Sequence, residues 1–283
     1  MTRNVKSTVS RLAENAGNGF FFRHYPATVP AALRFYDIYK TNTLKPYDLF
    51  TIINADPVLT GITYALYHEF FPEVRQDFFG IPYIIIKLNI NTVKNNVLKA
   101  AERAMPPQKT GKKIIKTQTD FLRRSLAAGI VSLLLAKRRG VSEADAQKYY
   151  CAGLLHDIGN FVLSKGSGAV FDGAVGLIDS PTAGRLTANL WGFPSVLHDA
   201  IAFHGDYQHY TKEHSDVVCH TALAVSVSDR WAAKSGAKFL SQPSASDKLF
   251  KLLNLDKGIF EGIEESFEAE FKKTAAFIGL GDD

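Results

Sequence analysis

The chain has 283 residues, 46% apolar and 22% charged, with a formal net charge of +5. That composition is ordinary for a globular protein and long enough for one large or two modest domains with a real core. Two cysteines, Cys151 and Cys219, exclude a disulfide framework, and no C-x-x-C pair suggests a zinc site. The first twenty residues contain no apolar segment of signal-peptide length. The most apolar window, "SLAAGIVSLLLA" at 125–136, runs only 12 residues before a lysine, too short to span a bilayer. A cytoplasmic chain with no membrane contact is the expectation.

Helical patterns dominate in chain order. "TLKPYDLFTIINADPVLTGITYALYHEFF" predicts two helices broken at Asp56-Pro57, where aspartate caps and proline suits the first helical position. In the second of them Leu59, Ile62, Thr63, Leu66 and Phe70 step by three and four. "IIIKLNINTVKNNVLKAAERA" opens β-branched and strand-like, but Val93, Val97, Ala100, Ala101 and Ala104 favour helix. "PPQKTGKK" at 106–113 combines prolines, glycine and charge and is the best boundary. A long apolar helix is expected over about 119–138. In the next one Ser142 caps, Asp145 supports the first turn, and Gly159 is expected to end it. "KGSGAVFDGAVG" reads as partly irregular. "SPTAGRLTANLWGFPSVLHDAIAFHGDY" predicts two helices, the second opened by Pro194. A further helix is expected over 215–235, and two short amphipathic ones between about 244 and 280. The expected organisation is a tail (1–19), a helical lobe (20–105), a basic linker (106–118), a helical bundle (119–240) and a helical extension (241–283).

A His-Asp pair is common by chance, and the chain has two: His156-Asp157 and His198-Asp199. Val196, Ala200 and His204 step by four and share a helix face. His198 lies about 120° from His204 at 100° per residue, so His204 is expected inward and His198 outward. Asp229 falls on the apolar face of Ala222, Val225 and Ser226, where an unpaired carboxylate is costly. His156, Asp157, His204 and Asp229 are therefore expected to converge. Hydrogen bonds that tie helix ends together are the plainer role for the same groups. Trp191 and Trp231 are expected as core anchors.

The ordered set of motifs resembles the HDOD family, relatives of the HD-domain metal phosphohydrolases found as output modules in bacterial signalling. The resemblance covers roughly 26–235. It rests on "PATVPAALRFYDI", "DLFTIINADPVLTGITYAL", "IKLNINTVKNNVLKA", "DFLRRSLAAGIVSLLLA", "CAGLLHDIGNFVL", "AGRLTANLWGFPSVLHDAI" and "VSVSDRWA". It implies an all-α fold, a helical N-terminal lobe packed on an HD-like helical bundle. It also places His156, Asp157, His204 and Asp229 at positions matching the metal ligands of active relatives. Where such a relative has its first histidine, this chain has Arg124 in "LRRSLAAG", and residues 69–155 contain no histidine. The next family position falls near Ser180, and 158–197 contain none either. Gly205 stands where a second histidine is frequent, and Asn160 where lysine is.

Replacing an imidazole donor by a permanent cation opposes a divalent ion. The guanidinium is expected to pair with Asp157 and stand in the metal's place. The resemblance then implies a non-catalytic signal-transduction module with a degenerate HD cleft. No catalytic residue, metal or cofactor is expected. Its partners would be signalling proteins, or a small nucleotide in the cleft. The alternative is a metal-dependent phosphohydrolase or phosphodiesterase acting on a nucleotide or cyclic dinucleotide, with Mn, Fe or Mg on His156, Asp157, His204 and Asp229. Nucleic acid is not an expected partner despite a pI near 9.0. The basic run "KTGKKIIK" lacks interleaved aromatic residues.

Overall fold

The computed structural model describes residues 25–74, 78–104, 111–164, 178–234 and 247–280. The expected tail (1–19), the first part of the linker (106–110) and the glycine-rich stretch (165–176) lie outside the described residues. Among the described residues the architecture is all-α, with no β-strand.

Five helices build the N-terminal lobe: α1 (Val29–Lys40), α2 (Pro46–Ala55), α3 (Pro57–Phe70), α4 (Ile81–Leu88) and α5 (Ile90–Arg103). The α2–α3 break falls at Asp56, whose Oδ1 accepts the Val58 and Leu59 amides at 2.7 and 3.0 Å. Its Oδ2 accepts the Thr28 amide and hydroxyl at 3.0 and 2.6 Å. One fully buried carboxylate thus caps α3 and anchors the chain entering α1. The β-branched run at 84–86 lies within α4, not a strand. Asn89, at φ 69°, separates α4 from α5 and caps α5 by accepting the Asn91 amide at 2.9 Å.

The bundle consists of α6 (Gly111–Arg138), α7 (Glu143–Leu155), α8 (Ile158–Leu163), α9 (Ser180–Leu190), α10 (Ser195–Phe203) and α11 (Ser215–Lys234). Helix α6 is its spine, about 42 Å long at 1.5 Å per residue. It packs on α7 and α11 and touches α1 and α3 of the first lobe. The structure extends this helix upstream of the expected start at 119. Residues 111–118 are its first two turns, because lysine is a good helix former and its charge faces solvent. Gln118 is buried there and its Oε1 accepts the Val29 amide at 2.8 Å, joining spine to lobe.

Two further contacts fix the lobe on the bundle. The Tyr150 hydroxyl donates to the Asn54 carbonyl at 2.6 Å. The Trp191 ring lies against α3 at Gly61, where an added Cβ would sit 2.2 Å from Trp191 Cζ3. Trp191 and Trp231 are both buried. Trp231 receives the extension, with Phe267 of α13 (Ile263–Phe277) 5.3 Å away between ring centroids. Short helix α12 (Asp247–Leu252) packs on α11, and α13 packs on α6. Among the described residues no single helix is long and apolar enough to cross a membrane.

Candidate functional site: a cleft at the α7–α8 junction

The spine runs antiparallel to both α7 and α11, so its middle faces the end of each. Helix α7 stops at Leu155, and His156 and Asp157 form the link to α8. Gly159 does not end α7 as expected. It lies inside α8, where an added Cβ would be 2.0 Å from the Ser180 carbonyl oxygen and 2.7 Å from the Gly184 amide. The glycine is therefore a close-packing residue that lets α8 and α9 touch. Ser180 opens α9 and meets the junction through this backbone contact.

His156 is buried, and its Nδ1 lies 2.7 Å from the Gly153 carbonyl. A carbonyl only accepts, so Nδ1 carries the proton and donates. Nε2 then points away with no hydrogen-bond partner, 3.5 Å from Asp157 Oδ2. His204 repeats the pattern at the end of α10, where a short 3-10 helix (His204–His209) begins. Its Nδ1 donates to the carbonyls of Ala200 and Ile201 at 3.1 and 3.2 Å. The two imidazoles meet edge to face, 5.1 Å between centroids. Burial, followed by the neighbouring His156, lowers the His204 pKa to about 4. This ring is neutral at pH 7.

Asp157 sits at the N-cap position of α8 but makes no side-chain cap bond. Its carboxylate is engaged by α6 instead: Arg124 Nη2 lies 2.8 Å from Asp157 Oδ2. Arg124 Nε also faces Asp229 Oδ1 of α11, at 3.8 Å. That is an ion-pair distance and too long for a hydrogen bond. Arg124 Nε and Asp229 Oδ2 are both buried without a hydrogen-bond partner. The two carboxyls respond differently. Burial pushes Asp157 up, but His156, Arg124 and His204 together hold it below the usual carboxylate range. Burial pushes Asp229 up, and Arg124 at its longer distance does not offset this. His198 and Asp199 pair with each other, partly exposed.

Ligand atoms of His156, Asp157 and His204 lie within 4.8 Å of one another, a separation that suits a shared cation. The guanidinium between Asp157 and Asp229 decides against it. A +1 and a +2 charge 4 Å apart repel by about 8 kcal/mol at an effective dielectric near 20. With Arg124 in place the residues present do not fit a hydrolytic divalent ion.

A second polar cluster, missed in the sequence, lies toward the other end of the spine. Arg139 Nη1 and Nη2 donate to Asp216 of α11 at 3.2 and 2.6 Å. Nη1 also donates to His220 Nδ1 at 2.9 Å, and His220 Nε2 donates to the Ser132 carbonyl at 2.9 Å. The Tyr149 hydroxyl of α7 donates to Asp216 at 2.6 Å. The available signal was the four-residue step from Asp216 to His220, which puts both on one face of α11.

The comparisons agree with the all-α fold. No curated protein matches the chain. The MmoQ response regulator of Methylococcus capsulatus str. Bath superposes with a TM-score of 0.62 at 16% identity, covering 84% of this chain and 97% of that one. A fragment of the same protein, residues 20–298, gives 0.56 at 17% identity, covering 83% and 94%. These likenesses show a shared fold. An HDOD domain protein of Geobacter sulfurreducens aligns over 97% of this chain and 96% of its own at 17% identity, with a TM-score of 0.39. The family model of the HDOD domain matches residues 81–176, a span that includes Arg124, His156 and Asp157. By that match, the segment from α4 through the His-Asp junction belongs to the HDOD domain family.

Proposed function

We propose that this chain is a non-catalytic signal-transduction module of HDOD type, whose HD cleft is a binding and coupling site rather than a hydrolytic one. The observation that carries this reading is Arg124 Nη2 at 2.8 Å from Asp157 Oδ2. Hydrolysis at such a site needs a metal that lowers the pKa of a bound water and polarises the phosphoryl oxygen. The guanidinium supplies charge but neither a coordination position nor a bound water. The module acts through contacts with signalling proteins, and the cleft takes a small ligand such as a nucleotide. The response-regulator description of MmoQ supports the signalling half of the proposal.

A second reading, a metal-dependent phosphohydrolase or phosphodiesterase, is favoured by the clustering of His156, Asp157 and His204. Metal analysis of the purified chain, with hydrolysis assays on a chromogenic phosphodiester and on cyclic dinucleotides in added manganese, separates the two. The proposal expects substoichiometric metal and background turnover. Robust turnover that disappears in Asp157→Ala establishes the second reading instead.

A further inference from the structure

Two features of the cleft are not explained by a guanidinium that simply fills space. The first is the anchoring of the imidazoles. Both His156 and His204 hold their Nδ1 protons on main-chain carbonyls of the preceding helical turn. That makes Nδ1 the donor in both rings, the same outer-shell hydrogen bond that ligating histidines use. His156 is 3% exposed and its Nε2 has no hydrogen-bond partner. The second is the spare carboxylate capacity. Asp229 Oδ2 is buried without a hydrogen-bond partner, and Asp157 does not cap α8. Two imidazoles and the Asp157 carboxylate lie within 4.8 Å of one another, Asp229 faces Arg124 from α11, and the guanidinium only partly satisfies the two carboxylates.

We infer that Arg124 is a built-in competitor for a latent divalent-cation site, a tethered cation that keeps His156, Asp157 and His204 from taking up metal. The inference rests on the proposed reading of the cleft and deepens it. The guanidinium provides one unit of charge to two carboxylates that otherwise repel across the α7–α8 junction and α11. It does so from the spine, through a side chain that holds three elements together. A divalent ion would provide twice that charge and could also coordinate imidazole nitrogens, which a guanidinium cannot do. The donor set of two imidazoles with a carboxylate suits a first-row transition cation. Arg124 withholds the site because it cannot be deprotonated and its charge is tethered at high effective concentration.

The test uses the full chain with Arg124→His and Arg124→Gln, probed with zinc and manganese chloride. Metal content after desalting and the melting temperature with and without metal are the readouts. The wild type is expected to retain well under one ion and to show no metal-dependent shift. Each variant is expected to melt lower than the wild type without metal, retain about one ion per chain and recover its melting temperature when metal is added. Adding His156→Ala to Arg124→His is expected to abolish both gains. A variant that is insoluble alone is refolded with metal present, and metal-dependent recovery supports the inference. Variants that fold but take up no metal, or that fail to refold with it, overturn the inference and leave the non-catalytic reading standing. A wild type that holds a full ion and hydrolyses phosphodiesters overturns that reading as well.

Discussion

Arg124 in α6 and Arg139 just past its C-terminal end lie 15 positions apart, and each faces an aspartate of α11 in a cluster that also holds a histidine. Around Arg139 the accounting closes: both Asp216 oxygens and both His220 nitrogens have partners, and the Tyr149 hydroxyl completes the set. Around Arg124 it does not close. Arg124 Nε, His156 Nε2 and Asp229 Oδ2 are buried without hydrogen-bond partners. A satisfied polar network reads as a structural tie. The unpartnered atoms of the other cluster are what support the proposed reading of the cleft. That contrast rests on hydrogen-bond geometry and not on motif.

The largest expected effect breaks the cleft. Arg124→Met leaves Asp157 and Asp229 buried without their cation and should destabilise the chain by about 3 kcal/mol in denaturant unfolding without added metal. Arg124→Lys keeps the charge but loses the planar fork, and should lie between wild type and Arg124→Met. At the other cluster, His220→Leu leaves the Ser132 carbonyl and one Arg139 bond unmade, a loss of about 2 kcal/mol by the same measurement.

Acid should weaken both clusters. The pKa of His220 is lowered to about 3, by burial first and the Arg139 charge second, and that of His204 to about 4. Both groups bind protons near the ordinary imidazole value of 6.5 when unfolded and stay neutral in the fold at that pH. Stability from this source is full above the unfolded value and falls as pH drops toward the folded one. Between pH 7 and 6 the two histidines together should cost about 1 kcal/mol, seen as a falling melting temperature. Substituting His220 by glutamine should flatten that dependence. The smallest effect is expected from Asp216→Asn, which keeps most contacts at a half-exposed position and should cost under about 1 kcal/mol. A loss as large as that of Arg124→Met would contradict the contrast between the two clusters.

Much of the fold was legible because local chemistry and packing agree. Asp56-Pro57 is a break in the sequence and in the structure, since the carboxylate caps whatever helix follows. Ser142 caps α7 for the same reason. Gly159 misled because glycine permits close approach as readily as it ends helices, and only the α8–α9 contact says which. The start of α6 misled because a solvated basic run and a linker share a composition.

Periodicity and capping chemistry, which act over a few residues, determined by themselves most of the helices and the inward face of His204, while an arginine at 124 where active relatives carry histidine is what the family resemblance implies. Tertiary structure alone decided where that arginine points, which carboxylate receives its closest bond, and which donors stay unpaired. Those outcomes depend on three helices distant in sequence meeting at one place. The free energy of a buried charge is set by the partners that arrive there, not by its neighbours along the chain.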